Sequence, residues 1–559
     1  MTPSLKQEVG TLVPFTRRFR AMEFLLSIAA GVLLFLTIAY ALDYAARRLV
    51  FTPVVTGGSS PSLAESTPDQ DPALALALPA STENIAVNPP ASATTATMDG
   101  DPELYNIAAS VTSRQTLASL FSTKSSIDLL AEQCGAPKGV LSLADRKVAE
   151  IAWSYFRNNF NAETGLVNSI DGFPITSMWD AGSSLAAFIA ARDFQLIEQK
   201  EFDDAIVRLL ATLKSIELFD GQAPNKVYNT RTLAMVDYRN EEVAGGIGIA
   251  ALDLARFISW ANTLQCMHPK FGHSVTEVLS RWDYSQLIAD GHMYGLARDR
   301  RQPGRIEVLQ EGRLGYEQYA GKIYSEVGFD IGEAASYDNA HVGHTEILGV
   351  RIAHDRRDPR STGANNYVVT ESYTIDAMEL GIEAGNRTLL ENIYEVQRQR
   401  WLDSGIVTAV SEDNLDREPW FIYNTVYNAG QIWQTATDTG VEYEHLKAIS
   451  TKSALSLAAL FPARDYTQAL LQAVESAYDQ ERGWYAGVYE NGDGYNKAIT
   501  ANTNGVILSI LMYKKYGSTF EYCNYCGREA TIKSSLVVPS AVPASSPGYS
   551  DCEQCPDVE

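Results

Sequence analysis

The feature that most restricts the fold is a long run of helical hydrophobic periods with no sustained strand alternation between them. Apolar residues recur at helical spacing over 148–156, 185–194, 202–213, 247–264, 275–287, 316–326, 371–380, 389–401, 427–435, 445–460, 466–478 and 503–513. About twelve such segments within roughly 370 residues predict paired helices wound into a ring, an all-α (α/α)6 toroid. Heptads are absent, which excludes a coiled coil, and no fixed repeat period supports a linear helical array. Short pieces such as 484–489 fit hairpins within the loops.

The chain is longer than one domain needs, and composition divides it. Residues 1–22 form a short basic tail. Residues 23–45 hold the uncharged run FLLSIAAGVLLFLTIAYAL at 24–42, close to the ~20 apolar residues that span a bilayer. It is too long for a signal-peptide core and lacks a small-residue cleavage site. Lys6, Arg17, Arg18 and Arg20 precede it, which predicts a cytoplasmic N-terminus and a single-pass inner-membrane anchor with the rest of the chain periplasmic. Residues 46–101 are rich in Ala, Pro, Ser and Thr and predict a disordered tether. A lead-in helical segment occupies 102–142, the ring domain 143–516, and a Cys-containing flexible tail 517–559.

With 45 basic against 68 acidic residues the formal charge is -23. That argues against nucleic acid as a partner, since phosphate backbones select basic surfaces. The pairs Cys523/Cys526 and Cys552/Cys555 have zinc-knuckle spacing and equally suit a disulfide-stapled tail; the sequence leaves both open. His341 and His344 lack an evident third ligand. Serine-hydrolase, metalloprotease, phosphate-loop and dinucleotide motifs are all missing, so no cofactor is expected.

Chemistry concentrates in loops where an aromatic, an acid and an amide sit beside glycine. In Glu311-Gly-Arg-Leu-Gly-Tyr-Glu-Gln-Tyr319, the carboxylates Glu311 and Glu317 are six residues apart, with Arg313 and Tyr316 beside them. Trp179 and Asp180 lie in a second such loop, where Asp180 either caps the following helix or faces a ligand. Asp237, Glu371, Trp420, Trp484 and Glu490 lie in others. Aromatic faces with nearby acids suit a sugar, and glycosidic cleavage needs one carboxylic acid and one carboxylate. A polar, amide-rich set of loops argues against an isoprenoid-cyclising toroid.

The strings TSMWDAGSSLAA, PNKVYN, EGRLGYEQYA, TAVSEDNLDREPWFIYN and GWYAGVYENG…ANTNGVILSIL resemble a bacterial family called domain of unknown function 3131, over about 152–514. Its members look like glucoamylase-like toroids, including bacterial β-1,2-glucanases. The resemblance implies the toroid and a carbohydrate-linked role. Gly315-Tyr316-Glu317 resembles the glycine–aromatic–Asn–Glu turn of those glucanases, which implies Glu317 as general acid. Asp237, then Asp180, follow as the second group. Trp179, Tyr316, Trp420 and Trp484 are the expected sugar platforms, with Glu311, Arg313, Glu371 and Glu490 binding hydroxyls. The expected partner is an oligo- or polysaccharide. The rival reading is a non-catalytic glycan-binding or scaffold component of a polysaccharide synthesis or export complex.

Overall fold

The computed structural model describes residues 141–299, 304–357 and 365–526. The apolar run at 24–42, the tether, most of the lead-in segment, Cys552 and Cys555 lie outside them. No helix among the described residues is long and apolar enough to cross a membrane.

Among the described residues, twelve helices alternate between an outer and an inner layer of the ring. The outer ones are α1 (Leu143–Asn159), α3 (Gln199–Ser215), α5 (Gly272–Leu279), α7 (Gly332–Ala335), α9 (Ala384–Ser404) and α11 (Tyr466–Val474). The inner ones are α2 (Met178–Asp193), α4 (Ala251–Met267), α6 (Tyr316–Glu326), α8 (Thr370–Ile375), α10 (Thr451–Leu460) and α12 (Ala501–Tyr516). Inner helices touch in the order α2, α4, α6, α8, α10, α12 and back to α2, so the ring closes.

Sequence explains the two layers. In α3, Phe202, Ala205, Ile206, Leu209, Leu210 and Leu213 form one buried stripe while the other face is polar. Each such large side chain, once buried, contributes roughly 1.5–3 kcal/mol. In α2 nearly every residue is buried, and many are Ala, Gly or Ser. Small residues let inner helices approach closely. A Cβ at Gly505 of α12 would lie 2.8 Å from the Ser183 Cβ of α2. Substituting Gly505 would therefore force the ring open at that seam.

The all-α expectation needs correction, because the connections at one end of the ring carry short antiparallel sheets. These include β1 (Gly248–Ile249), β2 (His292–Arg298) and β3 (Ile306–Gln310), joined through β2. The hairpin of β4 (Val342–Ile347) and β5 (Val350–Asp355) follows, then β6 (Glu412–Asn414) with β7 (Phe421–Asn424). The segment 427–435, expected to be helical, forms a small hairpin, Tyr427–Asn428 against Gln431–Ile432. Ala429 and Gly430 take positive φ at its turn, which a helix excludes.

Past the expected domain end, α13 (Thr519–Cys526) packs against α4 and the end of α8. There Cys523 forms a disulfide with Cys266 of α4, with Cα atoms 5.7 Å apart. Cys523 is thus neither a zinc ligand nor joined to its C-x-x-C neighbour.

Candidate active site

All six inner helices begin at the same end of the ring, and a cavity of about 330 Å³ opens there. That is the size of a small-molecule or oligosaccharide subsite. Its wall includes residues from the first turns of α2 (Trp179, Asp180), α4 (Leu252, Asp253), α6 (Tyr316), α10 (Lys452) and α12 (Asn502, Thr503). Helix N-termini carry partial positive charge, which tolerates the carboxyls gathered here. Loops and strands add Lys226, Tyr238, Glu311, Arg313, Glu412, Asp413, Phe421 and Tyr423.

The floor is a chain of polar contacts between second residues of inner helices. The Trp179 indole N–H donates to Asn502 Oδ1 at 2.9 Å, and Asn502 Nδ2 donates to Glu371 Oε1 at 2.8 Å. Glu371 Oε2 lies 2.7 Å from Lys452 Nζ, which reaches Asp413 Oδ1 at 3.1 Å. Lys452 also donates to the Glu412 carbonyl at 2.6 Å. Glu371, expected to bind hydroxyls, is therefore buried and paired, and it holds the wall from beneath. Trp179 is fixed from two further sides. Tyr316 meets it edge-on at 5.6 Å between centroids, and the Arg256 guanidinium lies 4.6 Å from its ring.

Three carboxyls on the α2–α4 side differ in their bonds. Asp180 is the third residue of α2, not its cap; Ser177 is the cap. Ser169 and Ser177 donate to Asp180 Oδ2 at 2.5 and 2.9 Å. Burial raises its pKa while these serines oppose the rise. Glu311 Oε2 accepts the backbone N–H groups of Ala251 and Leu252, the latter at 3.2 Å, and so closes the N-terminus of α4. Burial raises the Glu311 carboxyl above its ordinary value, against the opposing pull of Lys226 and the two N–H groups. The Asp253 carboxyl makes no hydrogen bond among the described residues. Burial, then the charges of Glu311 and Asp180, push its carboxyl well above the usual range. Burial thus raises both carboxyls, and that of Asp253 the further, since nothing bonds it and most of its charged neighbours are acids.

Several expected site residues lie elsewhere. Glu317 is buried, accepts Arg357 Nη1 at 3.2 Å and pairs with Nη2 as well. Arg357 also binds Asp355 at 2.6 Å. Successive helical residues are rotated by about 100°, so Tyr316 facing the cavity turns Glu317 away from it. Asp237 secures its own loop, with Oδ1 accepting the N–H groups of Arg239 at 2.9 Å and Glu241 at 3.0 Å; its neighbour Tyr238 reaches the cavity. Glu490 is held by Arg400 through two 2.8 Å bonds. Trp484 is a core residue whose indole donates to the Val148 carbonyl at 3.2 Å. Trp420 precedes β7, and the alternating residues Phe421 and Tyr423 line the cavity in its place. His341 and His344 join no group of three or more metal-ligating side chains among the described residues.

Sequence reasoning missed Asp253 as a cavity residue, and it singled out the loops of Lys226, Glu412 and Tyr423 without giving those residues a role. A signal for Asp253 existed: it is an acid in the first turn of a helix whose other residues are almost all buried.

The profile of a family described as Protein of unknown function (DUF3131) matches residues 147–517. No curated protein matches the sequence. A solved glucoamylase-like protein from Bacteroides caccae superposes with a TM-score of 0.50 at 13% identity, covering 68% of this chain and 95% of its own. An endo-β-1,2-glucanase from Chitinophaga pinensis, solved with sophorotriose and glucose, gives 0.49 at 11% identity, covering 69% and 95%. The endo-β-1,2-glucanase of Talaromyces funiculosus, solved with sophorose, gives 0.45 at 11% identity, covering 68% and 85%. The first of these likenesses shows a shared fold.

Proposed function

The chain belongs to the DUF3131 family of proteins of unknown function, and from that premise we propose that its cavity cleaves or transfers glycosidic bonds of a bacterial glucan or exopolysaccharide. Asp253 gives its proton to the leaving glycosidic oxygen. Glu311 acts as the carboxylate, on the anomeric carbon or through a water. Trp179, Tyr316 and Tyr423 supply ring faces for the sugars, and Asp180 hydrogen-bonds a hydroxyl.

One observation carries this reading. The Asp253 carboxyl is unbonded and held well above the usual range, while the Glu311 carboxyl beside it is raised less, because two backbone N–H groups and Lys226 oppose the effect of burial. A purely binding cavity has no need of a carboxyl held in its acid form. The test is reducing-end release by the purified full chain across α- and β-glucans and native exopolysaccharides. Release that disappears in Asp253→Asn supports the proposal. Binding without release from any polysaccharide refutes it and favours the scaffold reading.

The same proposal places the protein at the periplasmic face of an inner membrane. The apolar run at 24–42 supports an anchor, and the Cys266–Cys523 disulfide suits an oxidising compartment. Alkylation of both thiols in freshly lysed cells, without reductant, would contradict that placement.

A further inference from the structure

Among the described residues, buried and half-buried cations mostly spend their donors on carboxylates or on backbone carbonyls, as Arg281 and Arg298 do. Arg256 holds Glu379 at 3.2 Å, Lys322 holds Asp376 at 2.9 Å, and Arg400 holds Glu490 at 2.8 Å. Lys452, in the cavity floor, holds Glu371 at 2.7 Å. Such contacts offset the cost of removing a charge from water.

Two cations in the cavity depart from this pattern. The Lys226 ammonium makes no hydrogen bond or ion pair among the described residues, although it lines the cavity and is only partly exposed. Arg313 lies 3.8 Å from Glu412, beyond hydrogen-bond length, and its side chain is 21% exposed. Its guanidinium rests against the Tyr423 ring at 5.1 Å and the Tyr316 ring at 5.9 Å.

The backbone that carries each of them is fixed by hydrogen bonds. Asn225, fully buried, donates to the Val227 carbonyl at 2.6 Å and accepts the N–H groups of Ile247 at 2.7 Å and Gly248 at 3.1 Å. The Lys226 N–H donates to the Gly248 carbonyl at 2.8 Å. Around Arg313, Gly312 and Gly315 take φ of 106° and 103°, which only glycine adopts without strain. Gln318 accepts the Gly315 N–H at 2.7 Å, and the Arg313 carbonyl accepts the Glu317 N–H at 2.9 Å. Cations with unspent donors on a fixed backbone, in a cavity open to ligand, are arranged to receive an anion.

We propose that the glycan taken by this cavity carries carboxylates, and that Arg313 and Lys226 together receive one uronate carboxylate. The inference rests on the reading of the cavity as a glycan site and names the class of glycan. A planar guanidinium matches a planar carboxylate with paired N–H···O bonds, and stacking on tyrosine presents its N–H edge. A single negative charge suits the site, because acidic side chains such as Glu311 and Glu412 also line it and would repel a dianion.

The test is calorimetric binding to the full chain carrying Asp253→Asn, which stops turnover. The probes are oligomers of glucuronan, polygalacturonate and alginate, each paired with the same oligomer after reduction of its carboxyls to alcohols. At least one acidic oligomer is expected to bind about tenfold tighter than its reduced twin. Raising salt from about 50 to about 300 mM should shrink that preference. Adding Lys226→Met or, separately, Arg313→Gln should reduce that preference to within about threefold.

The proposal is overturned if no acidic oligomer is preferred, absence of all binding included, or if the preference survives both substitutions. Cleavage is a separate readout. Acidic preference without release by the unsubstituted chain keeps the subsite and removes the hydrolase. Release from neutral glucan with no acidic preference does the reverse.

Discussion

Glu311 and Glu317 stand six residues apart in one loop, and the fold gives them opposite tasks. Glu311 closes the N-terminus of α4 and opens onto a cavity. Glu317 turns away from that cavity, and there Arg357 takes both of its oxygens and Asp355 shares the arginine. The first is left only partly satisfied; the second is neutralised in place. A carboxylate that can act must keep unspent bonding capacity, whereas one that holds structure must have none.

The sharpest way to break this comparison is on the cavity side. Asp253→Asn keeps shape and removes the transferable proton, so reducing-end release should fall by about 10²–10⁴-fold. Circular dichroism and the unfolding midpoint should stay near those of the parent. A variant retaining most of its turnover would remove Asp253 from the chemistry.

On the locked side, Arg357→Leu leaves Glu317 and Asp355 buried without a partner. The expected cost is about 3–5 kcal/mol in urea unfolding, with turnover per folded molecule nearly unchanged. Loss of turnover at full stability would show that the triad belongs to the site.

A third test uses pH. Burial pushes the Asp413 carboxyl up to about 6, against the pull of Lys452. The folded state then holds a proton that the unfolded chain has released, over the window from the ordinary value near 4 up to about 6. Stability therefore falls as pH rises through that window, by about 1.4 kcal/mol per pH unit at the steepest for one proton. Asp413→Asn should flatten that part of the curve. An unchanged slope would assign it to other carboxyls.

The smallest effect belongs to Asp237. Its bonds secure only its own loop, so Asp237→Asn should change turnover by less than about threefold and stability by about 0.5–1.5 kcal/mol. A large loss of turnover would bring this loop back into the mechanism.

Much of the ring was legible. Helical periods located every inner helix, because buried helices repeat their apolar residues densely and their loops carry glycine, proline and polar residues. The hairpin at 427–435 was misread because a short run of aromatic and β-branched residues satisfies either period. The loops holding the cavity were also legible, since Trp179, Asp180, Glu311, Arg313 and Tyr316 all line it. Individual roles were not. Whether Tyr316 or Glu317 faces inward depends on helix rotation, which the glycines at 312 and 315 set and composition does not reveal. Arg357 lies forty residues from Glu317 in sequence, so nothing local marks that carboxylate as taken. Asp253 went unnoticed because its neighbours are apolar, and that setting is the reason its proton is retained.

The most direct measurement compares Glu311→Gln with Glu317→Gln, by reducing-end release from one polysaccharide that the parent chain cleaves. The account predicts a loss of about 100-fold or more for Glu311→Gln and near-parental rates for Glu317→Gln. Near-parental turnover in Glu311→Gln, with turnover lost in a folded Glu317→Gln, would contradict it.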